Sequence, residues 1–330
     1  MTFHRGSNEN SCFVGNFSFF WIKKEYSLWR VAKMLFRLNF LVLMLCAVLA
    51  NEYILYYICA MHTYWFLSVY ALMAIYPTSN YIPRYMLLKF LVYAAFNFVI
   101  FDISGMAEIV FLPLWLVLGY HDGKYPIMHE WSFRAGLDHW ACFVGMLCAY
   151  NYPHFESFLK YLEAKTTPRR TEYATKGVLA GVMCLALFFW HHEILTFDKY
   201  TYNRVHPYTS WIPIISFIVL RNLFPVLRTH YLLLFNWLGK ITLETYLSQL
   251  HIYLQSNAKE LIDFIPGYPL LNFAFSTIIY LLVSHRIFTL TVMFSSFLMP
   301  QDRGLMQRNL LGVAVVVTLS LVAATVFKLV

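Results

Sequence analysis

Residues 38–76 read LNFLVLMLCAVLANEYILYYICAMHTYWFLSVYALMAIY, an apolar block interrupted at Asn51, Glu52 and His62. A membrane-spanning helix needs about 20 predominantly apolar residues, so this block holds two spans joined by a tight turn. The rest of the 330 residues has the same character. Apolar residues make up 60% and aromatic ones 19%; only 13% are charged, against roughly 25% in an ordinary soluble domain. With a mean hydropathy of +0.56, this composition excludes a disordered chain, a coiled coil and almost any water-soluble enzyme. It predicts an all-α, polytopic transmembrane helical bundle.

Working outward, further candidate spans fall at 86–101, 105–120, 137–152, 177–195, 210–227, 241–256, 270–299 (one span or two) and 309–329. The expected total is about nine or ten. Several are short for a full crossing, so some are expected to be broken or re-entrant. Residues 1–37 carry Lys23, Lys24, Arg30, Lys33 and Arg37 and read as an N-terminal interfacial or cytoplasmic segment. Residues 38–330 read as one multi-span membrane domain. The positive-inside rule places that first basic segment in the cytoplasm. Strict alternation then puts the loop with Lys160, Lys165, Arg169, Arg170 and Lys176 on the far side, although its own charge argues for the cytoplasm. Orientation stays open at this stage.

The formal charge of +8 comes from basic residues between apolar runs. They read as topology determinants and as anchors at anionic lipid, the bilayer being the expected partner, with no nucleic acid. The six cysteines form no CxxC pair, so neither a metal nor a redox motif is expected. No cleavable signal peptide is expected either. Gly177 and Gly181 suggest a small-xxx-small helix contact. Nucleophile elbow, Walker loop, GxGxxG and HExxH motifs are absent. His191-His192-Glu193 is too tight for two histidines to share a metal from one helix face. Chemistry must come from polar groups projecting from membrane helices.

Three constellations stand out. In LGKITLETYLSQLHIYL (238–254), Lys240, Glu244, Ser248, His251 and then Gln255 recur at helical spacing, so they are expected on one face of one helix. Such a stripe cannot face lipid, since each ionisable group at mid-bilayer costs about 2.5–3.5 kcal/mol. It serves either as an inter-helix hydrogen-bond network or as the wall of a functional cavity. In HEWSFRAGLDHW (129–140), Glu130, Arg134 and Asp138 form an i, i+4, i+8 ladder flanked by His129 and His139. It is an interfacial salt-bridge stripe or part of a site. In HPYTSWIPI (206–214), two prolines remove backbone donors, so irregular backbone is expected there. His206, Tyr208, Thr209 and Ser210 then line a cavity, or the stretch is an interfacial turn anchored by Trp211.

These stretches, with LRN (220–222), IPGYPLLNF (265–273), GNFSFFWIKK (15–24), YYICAMHT (56–63) and HEWSFRAGLD (129–138), resemble the membrane domain of the glycan and polysaccharide O-acetyltransferase family. That family holds the animal sialic acid (N-acetylneuraminate) 9-O-acetyltransferases together with fungal capsule and plant cell-wall acetylation proteins. The resemblance runs from about residue 14 to about residue 300. It implies a multi-pass Golgi membrane protein, acetyl-CoA as co-substrate with no bound cofactor, and a glycan hydroxyl as acceptor. In the animal members a lumenal SGNH-hydrolase-like domain with a Ser/Asp/His triad precedes the membrane domain. No Gly-Asp-Ser motif occurs in these residues. The expectation is therefore a truncated gene model or isoform, or a membrane-only member, with a lumenal SGNH-type transferase as a partner.

Attack of a sugar hydroxyl on a thioester needs a base for the hydroxyl proton and donors for the developing oxyanion. The anionic phosphates of acetyl-CoA need cations. Under the resemblance, His206, Glu244 and His251 are the expected proton-handling residues. Arg221, Asn222, Lys240, Arg134 and Glu130 are the expected substrate and acetyl-CoA contacts. Two rival functions remain: an acetyl-group or acetyl-CoA transporter feeding a lumenal transferase, and an inactive truncated relative.

Overall fold

A computed structural model describes residues 28–51, 53–118, 127–254 and 261–329. The chain is α-helical, with no strand among the described residues. The first helix, α1 (Leu28–Leu49), starts inside the segment expected to end at residue 37, because Leu28, Val31 and Leu35 already repeat at helical spacing and Val31 is buried. Arg30, Lys33 and Arg37 therefore lie on a helix. The chain turns at Ala50, in the left-handed region at φ 52°, and continues as α2 (Tyr57–Ala74).

The end of α2 shows how an apolar helix stops without exposing bare carbonyls. Buried Asn80 donates to the Met73 carbonyl at 2.9 Å, and its own amide oxygen accepts from Lys89 Nζ at 2.6 Å. Lys89 also donates to the Ile75 carbonyl. One ammonium and one amide thus satisfy the orphan carbonyls of the last turn. Pro83 then opens α3 (Pro83–Asn97), where its missing N–H costs nothing. A π-turn at Phe98–Asp102 widens the end of α3 and turns Asp102 toward the fold.

There follow α4 (Met106–Leu118), α5 (Ile127–Leu162), α6 (Arg169–Trp190) with a second π-turn at His191–Leu195, and α7 (Lys199–Thr209). The expected span at 137–152 is the middle of the longer α5. Asp198 caps α7, accepting from the backbone N–H groups of Tyr200 at 3.0 Å and Thr201 at 3.3 Å. After a step at Ser210 come α8 (Trp211–Leu223), α9 (Pro225–Thr229), α10 (Leu233–Lys240), α11 (Thr242–Ile252), α12 (Pro269–Leu298) and α13 (Arg303–Leu329).

Among the described residues, five helices are long and apolar enough to cross a membrane: α1, α3, α6, α12 and α13; α2 and α8 are shorter apolar helices. None of the apolar stretch of α6 or α13 is buried, which is what a lipid-facing helix requires. The segment 270–299 is one helix. At Gly177 and Gly181 nothing approaches within 4 Å of an added Cβ, so the expected small-residue contact is not made within the chain.

The chain divides into two compact units, one holding Ile54–Gly239 and the other Ser27–Tyr53 with Lys240–Val330. The larger unit is built on aromatic packing. Tyr64 lies edge-on to Trp65 (4.9 Å between centroids), Phe111 (5.2 Å) and Trp131 (5.9 Å), and Phe111 meets Trp131 at 4.2 Å. Edge-to-face contact presents ring edges to negative π-faces, stabilising each pair by about 0.5–1.5 kcal/mol beyond burial. The smaller unit rests on α11 and α12. Glu244 meets Thr291, Ser248 meets Ser284, and Tyr253 meets Thr277, so the two helices run antiparallel.

Candidate functional site

In the larger unit, three elements bring a polar centre together. Asp102 comes from the π-turn after α3, His139 and Asp138 from α5, and Tyr208 and His206 from the end of α7. His139 Nε2 is 3.2 Å from Asp102 Oδ2, with the two side chains 2% and 8% exposed. Its Nδ1 lies 2.7 Å from the Gly136 carbonyl oxygen. That carbonyl can only accept, so Nδ1 donates. Nε2 then faces a carboxylate oxygen, and the contact needs a proton that sits either on the ring or on the carboxyl. The Tyr208 hydroxyl donates to the other carboxylate oxygen, Oδ1.

Asp138 lies within electrostatic reach of both His139 and His206. His206 packs its ring 5.0 Å from that of Tyr202, and its Nδ1 is buried without a hydrogen-bond partner. Helix α7 is polar and is not among the candidate spans. Burial pushes His206 below the ordinary imidazole value, and the charge of Asp138 opposes that shift. A neutral ring with a bare nitrogen can accept a proton, and a carboxylate beside it stabilises the imidazolium that results.

The far end of α8 is cationic. Arg221 donates from Nη2 to the His230 carbonyl at 2.7 Å, while its Nη1 is buried without a partner. Asn222, on the next position, donates to the Ile218 carbonyl at 2.7 Å. Nearby in the fold, Lys176 is buried between Glu163 (2.9 Å) and Glu172 (2.8 Å) and lies 6.0 Å from the centre of the Phe224 ring. Arg228 also binds Glu163. Burial raises the proton affinity of Glu163, but the hydrogen bonds from Arg228 and Lys176 outweigh it and hold the carboxyl below its ordinary value. Lys176 and Arg228 are thus matched by carboxylates. Arg221 has only a carbonyl.

The smaller unit has its own buried charge. Glu244 is fully buried, and its Oε1 accepts from Arg37 Nη2 at 2.8 Å and from Thr291 Oγ1 at 2.9 Å; Oε2 has no partner. The Arg37 guanidinium lies 4.9 Å over the Phe288 ring. The Ser248 and Ser284 hydroxyls meet at 2.7 Å one turn further along α11.

The sequence-predicted residues therefore do not form one cluster. The stripe expected on a single helix is broken at Ile241: Lys240 ends α10, while Glu244, Ser248 and His251 share a face of α11, which starts only at Thr242. Helix α10 stops because Gly239 and Lys240 end its apolar run, and a new helix begins after Ile241. Gln255 lies outside the described residues. His251 is half-buried in the last turn of α11. His206 lies in the regular α7 rather than in irregular backbone. Pro213 falls in the first turn of α8, where a missing N–H is tolerated, and the break is confined to Ser210. His206 and Arg221 are held at opposite ends of α8, which rises about 15 Å from Trp211 to Arg221. Arg134 is exposed on α5, 5.7 Å from the Phe133 ring. The side chain of Glu130 lies outside the described residues.

Asp102 is the residue that sequence reading missed. The signal was there: FVIFDISG (98–105) puts one carboxylate at the end of an apolar run, and an ionisable group on a span marks a functional position by default.

Residues 12–311 match the family model described as the 10 TM acyl transferase domain found in Cas1p. The chain is similar to the N-acetylneuraminate (7)9-O-acetyltransferase of Danio rerio, at 34% identity over 317 residues, which are 93% of this chain and 40% of that relative. It thus spans less than half the length of the curated relative it matches. No solved structure matches the chain.

Proposed function

The chain belongs to the family of ten-span membrane acyl transferases, and from that premise we propose that it transfers acetyl groups from acetyl-CoA to carbohydrate hydroxyls, sialic acid among them, in the Golgi membrane. The observation that carries this reading is the polar centre of the larger unit. Two carboxylates, two imidazoles and a phenol converge there within largely apolar surroundings, which is the equipment an acyl transfer between oxygen and sulfur requires.

In this reading His206 is the base. As the acceptor hydroxyl oxygen attacks the thioester carbonyl carbon, its proton passes to the bare Nδ1 of His206, and Asp138 stabilises the imidazolium. The C–S bond breaks, and the departing CoA thiolate takes that proton back from His206. His139, held by Gly136 and Asp102, carries the second protonatable ring, and Tyr208 keeps Asp102 oriented through a charge-assisted hydrogen bond. Arg221 supplies a cation for the donor phosphates, with Asn222 beside it. Glu244 holds α11 and α12 to α1 through Arg37. His251, Lys240, Arg134 and Glu130 have no place in this step.

A second reading is favoured by the separation of Arg221 from His206 along α8. The domain then passes acetyl groups from donor to a lumenal SGNH-type transferase, and the acceptor glycan is met by that partner. One experiment addresses both. Membranes carrying the full chain are given labelled acetyl-CoA and a sialylated acceptor, with wild type compared to His206→Gln at matched abundance. Label on the glycan, lost in the variant, supports the first reading. CoA release that reaches glycan only when the lumenal transferase is added supports the second. Absence of any acetyl-CoA turnover by wild type overturns both.

A further inference from the structure

Helices α6 and α8 run antiparallel, with Trp190 meeting Trp211 at one end and Lys176 meeting Phe224 at the other. Between them lies a cleft of about 330 Å³, lined by Met183, Ala186 and Trp190 on one side and Ile212, Ile215 and Ser216 on the other. Its walls are apolar but for two donors. The Trp190 Nε1–H is buried without a partner. The Ser216 hydroxyl belongs to a residue only 1% exposed and makes no hydrogen bond among the described residues. Unpartnered donors in an apolar wall are costly unless an acceptor comes to them.

The two ends of the cleft differ in charge chemistry. Toward the cationic end, Arg221 lies five residues beyond Ser216 on the same helix, a guanidinium with one buried, unpartnered nitrogen and no carboxylate among the described residues. A guanidinium in that setting calls for an anion. At the other end, Glu193 of the second π-turn borders the cleft, and Trp211 leads back through Ser210 to Tyr208 and His206. A fitting ligand has an anionic head, an apolar arm carrying amide carbonyls, and a reactive acyl end.

We propose that the α6–α8 cleft takes the phosphopantetheine arm of an acyl-CoA. The donor phosphates sit on Arg221, the arm's amide carbonyls accept from Ser216 and Trp190, and the thioester is delivered toward His206. This rests on the acetyl-CoA reading above and adds to it the path of the arm. A lipid tail would suit the apolar walls, but hydrocarbon offers nothing to the two donors. The π-turn that closes α6 has a role here too, since it widens the helix where the acyl end must leave the cleft.

The test measures binding of acetyl-CoA, and of the nucleotide half of CoA without its arm, to the full chain in detergent. Ala186→Phe fills the cleft. It should weaken acetyl-CoA by about tenfold or more while leaving the nucleotide half unchanged. Retained nucleotide binding also reports that the variant is folded. Ser216→Ala hardly changes volume and should weaken acetyl-CoA by about three- to tenfold through one lost hydrogen bond; it decides the matter should Ala186→Phe not fold. Arg221→Gln should weaken both ligands. If wild type binds acetyl-CoA and both cleft variants match it, the path is wrong while the acetyl-CoA reading stands. The same holds if the variants change only the lipid that co-purifies. If wild type binds neither ligand, the acetyl-CoA reading falls and the path with it.

Discussion

The polar centre of the larger unit and the Arg37–Glu244 pair of the smaller one both bury charge, and they handle it in opposite ways. In the pair, one guanidinium meets one carboxylate, Thr291 adds a second donor to the same oxygen, and the charges cancel. Moving a proton there would leave a buried charge without its counter-ion. In the polar centre, Asp138 is shared between two histidines, and Asp102 is held by one of them and a phenol. A proton can arrive or leave with a carboxylate still at hand. The first arrangement suits holding helices together, the second suits acid–base chemistry, although the sequence marks both as ionisable groups on apolar helices.

The largest effect that could break this comparison is at His206. His206→Ala should lower acetyl transfer by about a hundred- to ten-thousandfold, the usual worth of a general base, with membrane abundance unchanged. The wild-type rate should rise with pH as His206 loses its proton, with a half-point below the ordinary value of 6.5 because burial favours the neutral ring. For folding the sign is the same. The unfolded chain binds the proton first, so stability is full above the unfolded value and declines as pH falls through the folded one. Asp138→Asn removes the opposing charge and should move the half-point lower still. A half-point that rises in this variant would contradict the assignment.

Next in size is the ion pair. Arg37→Ala should cost about 3–5 kcal/mol, because it strands a buried carboxylate, and should appear as reduced abundance and a lower Tm. The double change Arg37→Met with Glu244→Met should recover most of that loss. Glu244→Gln that abolished transfer at normal abundance would instead give the smaller unit a proton-handling role and erase the contrast.

Tyr208→Phe sharpens the comparison at lower cost. Removing one hydrogen bond to the Asp102 carboxylate should cost about 1.5–3 kcal/mol, read as a fall in kcat with unchanged abundance. A loss of abundance with normal kcat would make Tyr208 a packing residue. Smallest is Asp198→Ala, which removes the cap of α7 and should destabilise it by about 0.5–2 kcal/mol, seen in Tm rather than in the pH profile.

The helical, membrane-spanning character was legible from the apolar runs and the scarcity of charge, and the family resemblance from seven quoted stretches is borne out by the match over residues 12–311. Boundaries were less legible. The start of α1 at Leu28 was hidden because Arg30, Lys33 and Arg37 looked like a solvated segment, whereas Arg37 is drawn in by Glu244, 207 positions away. The break at Ile241 was equally hidden, since helical spacing continues across it. Of the polar centre, His206, Tyr208, Asp138 and His139 were visible as polar groups in apolar stretches. Their assembly around Asp102 was not.

By itself the sequence determined what local chemistry dictates: which stretches cannot stay in water, where proline and glycine interrupt them, and which ionisable groups apolar surroundings make expensive. The tertiary structure decided which of those groups meet. Asp102 and Tyr208 are 106 positions apart and join through a side-chain hydrogen bond, and Arg37 finds Glu244 the same way. No periodicity along one helix encodes such a pairing. It depends on how helices pack side by side, and there the cost of leaving a buried charge bare selects the partner.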